Sequence, residues 1–567
     1  MDGTIAGLNK RQQYELISSG MWQDRSTFEA NWRELAEYIL PRRPRWFTSD
    51  RNKGDRRNLK IIDETATFAA RTLQSGMHAG ITSPARPWMK LTTPDPEMAN
   101  FGPVKQWLHV VSQRMLTVFL RSNLYNVLPT HYGDMGVFGT SAIGVMEDER
   151  DVIRCYSYPI GAYAIGTSER NVTDSFYYEW EMNVRQVVME FGWNRRDNTI
   201  DWTNISTAVK NLWDRKSYNQ AVTVCWYVGP NVGADRGSIL ANAKPWSSCI
   251  WEKGSSDHKF LRDSGFNEFP FMATRWDVTG GDVYGTMCPG MVSIGSIKAL
   301  QTMQKRKAQA VEKMINPPLT APTHVRNQKA SLLPADITYV DIREGQKGIA
   351  PIHEVRIDIS HLTADIGETR NMVRRSFYED LFLMLAQSDR RQITAREIDE
   401  RHEEKLLALG PVLERTNDEL LDPLVDRVFA IMDRRGMIPE APEELHGVPL
   451  KVEYLSVMAQ AQKLVGVAGH ERFLSTALQL AAVFPEVKHK VDAMQAIDSH
   501  GDMLGVDPNV IVATEDARAA MKSEQDALAA QQQAAIAKDM AGAAHSLGTT
   551  PMDTDTALGA IAEGMGV

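Results

Sequence analysis

Gln304-Lys-Arg-Lys-Ala-Gln-Ala-Val-Glu-Lys-Met-Ile-Asn-Pro-Pro318 decides the architecture. Traced back to Met291, the segment repeats Ile294, Ile297, Leu300/Gln301, Gln304, Ala308, Val311 and Ile315 at helical spacing. Lys298, Lys305, Arg306, Lys307 and Lys313 fall mostly off that stripe. Asn316-Pro317-Pro318 ends the helix, because proline lacks a backbone donor and clashes with the preceding turn. At 1.5 Å per residue this is a rod of roughly 35–40 Å. The chain from Leu319 to Ile359 reads as short strands and turns, and a second long helix spans about Ser360 to Leu385. A polar run, Gln387-Ser-Asp-Arg-Arg-Gln392, separates it from a third helical stretch over Thr394–Arg435. Gly410-Pro411 and Pro423 predict kinks in that stretch.

Toward the N-terminus, Ser26-Thr27-Phe28-Glu29 has the form of a capping box, with Phe28, Trp32, Leu35 and Ile39 following at helical spacing. A basic loop from Pro41 to Arg57 leads to a helix over Leu59–Ala79, and Pro103 opens another. From Val152 to Trp276 the pattern changes. Phe176–Val184, Ala221–Val228 and Phe269–Trp276 are rich in aromatic and β-branched residues, which predicts a mixed sheet region with its tryptophans in the core. A strand fits Leu450–Leu455, and helices continue to about Ala530. From Gln531 the chain has few large hydrophobes and is expected to be disordered or only marginally helical. The class is α+β and helix-rich.

The length of 567 residues gives a prior of three or four domains, and 43% hydrophobic content allows a large core. A net charge of −9 argues against a surface that grips nucleic acid tightly, since such affinity comes from neutralising phosphates. Cys155, Cys225, Cys249 and Cys288 form no CxxC pair and read as buried reduced thiols. The N-terminus lacks a signal-peptide core, and no apolar run could span a bilayer, so cytoplasmic synthesis is expected. No GxxxxGK[ST] loop or HExxH motif is present. Gly139-Thr-Ser-Ala-Ile-Gly144 is not a nucleophile elbow and reads as a flexible turn among helices. Asp365 and Glu368 could hold a cation, but a solvated helix face is the commoner meaning of such a pair. These readings leave no catalytic residue, no metal site and no cofactor.

Several long stretches resemble the head-to-tail connector family of short-tailed phages. They are Thr72-Leu-Gln-Ser-Gly-Met-His-Ala-Gly-Ile-Thr-Ser-Pro-Ala-Arg-Pro-Trp88, Gly281-Asp-Val-Tyr-Gly285 with Pro289-Gly290, and the 304–318 segment. Asp389–Ile398 and Glu403–Arg415 add to them. The resemblance implies a portal fold assembled as a dodecameric ring. It places a wing at 1–290, a first stem helix at 291–316, a clip at 317–357 and a second stem helix at 358–386. A channel loop follows at 387–393, then a long kinked helix with the wing return at 394–455 and a helical crown at 456–530, ahead of the compositionally read tail at 531–567. It implies double-stranded DNA in the channel, with capsid protein, scaffold, packaging terminase and tail proteins as partners, no membrane, and a virion location. Arg390, Arg391, Lys305, Arg306 and Lys307 are then the candidate DNA-facing residues, and Pro411 the channel-shaping kink. Twelve helices of about 10 Å width enclose a bore of roughly 28 Å, wide enough for a duplex of about 20 Å. A DNA-processing enzyme or a protein-only adaptor of the packaging machine are the competing classes.

Overall fold

The computed structural model describes residues 8–46, 54, 56–95, 98–99, 101–194, 196–235, 238–315, 319–320, 326, 350–351, 359–388, 409–445, 447–455, 473–477, 479–480, 484, 492, 494–497 and 514–549. The chain divides into two compact units, residues 1–92 with 107–462, and residues 93–106 with 463–567.

In the first unit, helix α1 (Lys10–Tyr38) begins far upstream of the Ser26 signal. Its real cap is Asn9, which exchanges hydrogen bonds with Gln12 in a capping box. Ser26 and Thr27 instead donate to the carbonyls of Gln23 and Asp24 inside the helix, as mid-helix hydroxyls do. Helix α2 (Thr65–Ile81) starts later than Leu59, because the Asp63 carboxylate accepts from the Thr65 amide at 3.0 Å and fixes the turn before the helix. Helix α3 (Gly102–Arg121), whose residues from Trp107 on belong to this unit, begins beside Pro103 as expected, and α4 (Leu124–Phe138) follows it.

Gly139–Gly144 is not a flexible turn among helices. Gly139 caps α4 at φ +80°, and the chain enters strand β2 (Thr140–Asp148), buried from Thr140 through Val145. A glycine in the left-handed region ends a helix without the steric cost of a Cβ. The short β-branched and small residues that follow fit a buried strand, which periodicity cannot separate from a loop. β2 lies between β3 (Val152–Tyr158) and β11 (Phe271–Arg275) in a three-stranded antiparallel sheet.

The expected mixed region holds a five-stranded antiparallel sheet. Its members are β4 (Tyr163–Thr167), β5 (Thr173–Asn183), β8 (Ala221–Pro230), β9 (Trp246–Glu252) and β10 (Arg262–Phe266), in the order β10-β9-β8-β5-β4. Between β5 and β8 stand α5 (Val184–Phe191), the short pair β6 (Trp193–Asn194) and β7 (Thr199–Ile200), and α6 (Thr207–Asp214). Val184, Val187, Val188, Val209, Val224 and Trp226 pack there as one core, so tryptophan serves packing in this region.

The chain then forms a long hairpin. Helix α7 (Pro289–Ile315) leads to β12 (Leu319–Thr320), which pairs antiparallel with β13 (Ala350–Pro351), and α8 (Ile359–Ser376) returns. The second long helix is not continuous to Leu385. Phe377 turns inward, Tyr378 takes φ +54°, and a separate helix α9 (Glu379–Ser388) leaves the bend. Buried Phe377, Leu381 and Phe382 drive this break by seating both sides of it in the core.

Residues 409–416 are helical, then a π-helical turn (Asn417–Leu421) joins α10 (Asp422–Arg434) without a gap. Pro423 has no amide to give Glu419's carbonyl, and the widened turn immediately before it absorbs that loss. The turn also directs Glu419 at buried Arg275, whose backbone N, Nε and Nη2 donate to it at 2.8, 3.1 and 2.7 Å. Strand β14 (Lys451–Tyr454) returns to pair with β1 (Met89–Thr92).

In the second unit, helix α11 (Thr514–Thr549) runs past Gln531, from where composition led to an expectation of a disordered or only marginally helical tail. Its side chains from Arg518 to Asp539 are all exposed. Alanine and glutamine sustain a helix by propensity without offering a face to bury.

Candidate functional site

The feature that stands out is the α7–α8 hairpin and the way it is rooted. At its base, backbones approach so closely that only glycine fits. A Cβ on Gly285 would lie 2.1 Å from the Gly139 carbonyl oxygen, and one on Gly290 would lie 2.4 Å from that of Val137. The Gly285 amide donates to Thr140 Oγ1 at 2.8 Å, and buried Tyr284 accepts from the Ile165 amide at 3.1 Å. The Gly281–Gly285 and Pro289-Gly290 stretches are thus joints that seat α7 on α4 and β2.

Higher on the hairpin, Asp63 ties both helices to the segment before α2. Its Oδ2 accepts from Gln304 Nε2 of α7 at 3.0 Å and from Arg370 Nε and Nη2 of α8 at 3.0 and 2.7 Å. Gln301 completes the node. Its Oε1 accepts from the Ile62 and Asp63 amides, both at 2.7 Å, and its Nε2 donates to the Asp63 carbonyl at 2.8 Å. Burial alone would raise the Asp63 carboxyl, but the hydrogen bonds from Thr65, Arg370 and Gln304 outweigh it and hold the group below its ordinary range. Sequence reasoning passed over Asp63 and Arg370. The one available signal was a glutamine, Gln301, standing on an otherwise apolar stripe.

The Thr72–Trp88 stretch supports the same frame. Gly76 of α2 faces Phe382 of α9, where a Cβ would come within 2.2 Å of the ring. Trp88 is buried, stacks on Phe119 at 5.6 Å, and donates its Nε1–H to the Tyr125 hydroxyl at 2.9 Å.

Beyond this root much of the hairpin is exposed, although Ile366 of α8 is still buried. Burial on α7 stops at Gln301, and Lys305, Arg306, Ala308 and Ile315 are exposed, with Lys307 half-buried. Lys305, Arg306 and Lys307 therefore share one solvent-facing rod. Arg390 and Arg391 lie outside the described residues. Pro411 sits in the helical residues 409–416, ahead of the π-helical turn.

Nothing in the described residues assembles a reaction centre. No three His, Cys, Asp or Glu side chains gather as a metal would need. The perturbed groups belong to packing: burial lowers His131 to about 3, and raises Cys155 and Cys288 to about 12. No helix among these residues is long and apolar enough to cross a membrane.

A largely exposed rod rooted by glycine joints and a buried carboxylate is a scaffold element, and comparison with known proteins agrees. The family described as bacteriophage head to tail connecting protein matches over residues 11–512. This chain belongs to that family. The head-to-tail connecting protein is 47% identical over 543 residues to the portal protein of Salmonella phage epsilon15, covering 96% of each chain. It is 40% identical over 535 residues to the probable portal protein of Bordetella phage BPP-1, covering 94% of this chain and 95% of the relative. Its function is that of a portal, the head-to-tail connector.

Proposed function

We infer that copies of this chain close into a ring, dodecameric in the particle, whose bore passes double-stranded DNA into and out of the capsid. The α7–α8 hairpin is the stem, the segment between Ile315 and Ile359 is the clip that meets terminase and tail, and Arg390 and Arg391 reach the channel. The observation that carries the reading is the hairpin's largely exposed outer half: a helix pair exposing Lys305, Arg306, Ala308 and Ile315 needs neighbours that a single chain does not supply. Cyclic assembly provides them through a head-to-tail interface repeated around the axis. An acidic chain, net −9, suits a conduit, because acidic walls limit sticking while a few basic levels centre the duplex.

Native mass and negative-stain images of the purified chain test this directly. Closed rings of about a dozen copies are expected, whereas a persistent monomer or an open filament would overturn the reading. For the channel loop, Arg390→Ala with Arg391→Ala should leave rings intact and reduce retention of packaged DNA, most strongly at low salt. Retention equal to wild type across salt would remove both arginines from the channel.

A further inference from the structure

Beyond the Asp63 node the outer faces of α7 and α8 carry opposite charge at matching heights, while exposed Arg375 shares the Glu368 face on the near side of the node. On α7, Lys305, Arg306 and Lys313 are exposed, while on α8 Asp365 and Glu368 are exposed. Among the described residues Arg306, Lys313, Asp365 and Glu368 make no ion pair, although the same hairpin holds Arg370 firmly on Asp63. At 3.6 residues per turn, Arg306 lies about 180° around α7 from buried Ile297, and Glu368 about 200° around α8 from buried Ile366. The two therefore point away from their common packing seam, and in one protomer they cannot meet.

Their heights follow from the Asp63 node. Gln304 and Arg370 both bond Asp63 Oδ2, so these positions stand at one level of an antiparallel pair. Arg306 is two residues beyond Gln304 and Glu368 two residues before Arg370, both toward the β12–β13 end. They share a level too, and by the same count exposed Gln309, an amide donor, stands level with Asp365. Rotation about an axis along the hairpin keeps levels, so beyond the node it brings the basic outer face of α7 in one copy against the acidic stretch of α8 in the next. Small exposed side chains on the same face as Arg306, Ala299 and Thr302, let two helices approach at the usual 8–10 Å or so.

We propose that the outer face of α7 docks on the outer face of α8 in a second copy of this chain, with Arg306 paired to Glu368 of that neighbour. The proposal rests on the ring reading above and adds its register. It also moves Arg306 from the DNA-facing set to the subunit boundary. Lys305, nearer the seam, and half-buried Lys307 on its opposite flank stay candidates for the lumen.

The experiment is a charge exchange on the full-length chain, read by ring yield in sedimentation and by thermal melting of the unassembled protomer. Arg306→Glu alone and Glu368→Arg alone should each lower ring yield about tenfold, since each sets like charges together at every boundary. The pair R306E/E368R should restore it to about the wild-type level, with protomer melting unchanged throughout because both sites are exposed. Single variants that form rings normally, or a double variant that does not recover, would overturn the pairing while leaving the ring intact. Normal rings from R306E with weakened DNA retention would overturn it in favour of a channel contact. A wild-type chain that forms no ring would remove the underlying reading and this register with it.

Discussion

Two buried carboxylates show how local surroundings set opposite acid responses in one fold. Asp134 of α4 is 3% exposed. Arg43 Nε lies 3.1 Å away, but it is not aimed along a hydrogen bond. Burial raises the Asp134 carboxyl to about 6, with Arg43 pulling only weakly the other way. A carboxyl raised in the folded state stabilises least above that value, so its cost is complete at pH 7 and fades as pH falls toward the unfolded value of about 4. Asp134→Asn should therefore raise the melting temperature at pH 7, by an amount corresponding to about 1–3 kcal/mol, and make little difference near pH 4. A variant less stable than wild type at pH 7 would show that the Arg43 contact dominates. Asp63 behaves in reverse. Its depressed carboxyl contributes stability that is present above the unfolded value and lost as pH falls through the folded one. Asp63→Asn should cost about 1–3 kcal/mol at neutral pH, as expected when Arg370 loses a charged acceptor, with the deficit narrowing in acid melts. A deficit that stays constant into acid would mean the carboxylate's charge is not what holds the node.

At the scale of elements, one of the closest helix contacts is the one between α2 and α9, where Gly76 admits the ring of Phe382. Gly76→Ala should destabilise the protomer by about 1–3 kcal/mol through overpacking, despite alanine's better helix propensity. Phe382→Leu in the same chain should recover part of that loss, and a neutral or stabilising G76A in thermal melts would count against the contact. Helices with an uninterrupted stripe were legible from residues alone: α7, the start of α3 and the strands β5, β8 and β11 fall close to their expected places. What escaped reading depends on partners distant in sequence. Ser26 has a cap's pattern but sits mid-helix, because α1 gains its burial from residues as far back as Arg11 and Tyr14. The Tyr378 bend is invisible locally, since it arises from Phe377 and Phe382 seeking a core that α2 completes. Buried arginines are equally hidden. Arg427, lowered to about 10 by burial, donates to the Val145 and Glu268 carbonyls at 2.8 and 2.9 Å, yet in sequence it is one more charge on an amphipathic helix. The site was legible as a basic rod, but its root at Asp63 was not, because a carboxylate that collects donors from three separate segments leaves no spacing to read.

For the whole molecule, the short β12–β13 pairing divides the chain's tolerance to length change. Leu319 stands opposite Pro351 and Thr320 opposite Ala350, so the chain leaves and re-enters the hairpin through one gate. Residues added between Thr320 and Ala350 enter beyond that gate and leave the rotation of α7 against α8 untouched. One residue added within α7, between Gln304 and Lys305, keeps the Asp63 node but turns everything beyond it by about 100° and swings Arg306 and Lys313 aside. The first kind of variant should still give rings by sedimentation and the second should not; equal ring yield from both would show that helix phase does not govern assembly. In evolutionary terms, and on the ring reading, the gate leaves the intervening segment free to change in length, while the quantity assembly needs, angular phase along the rod, is kept.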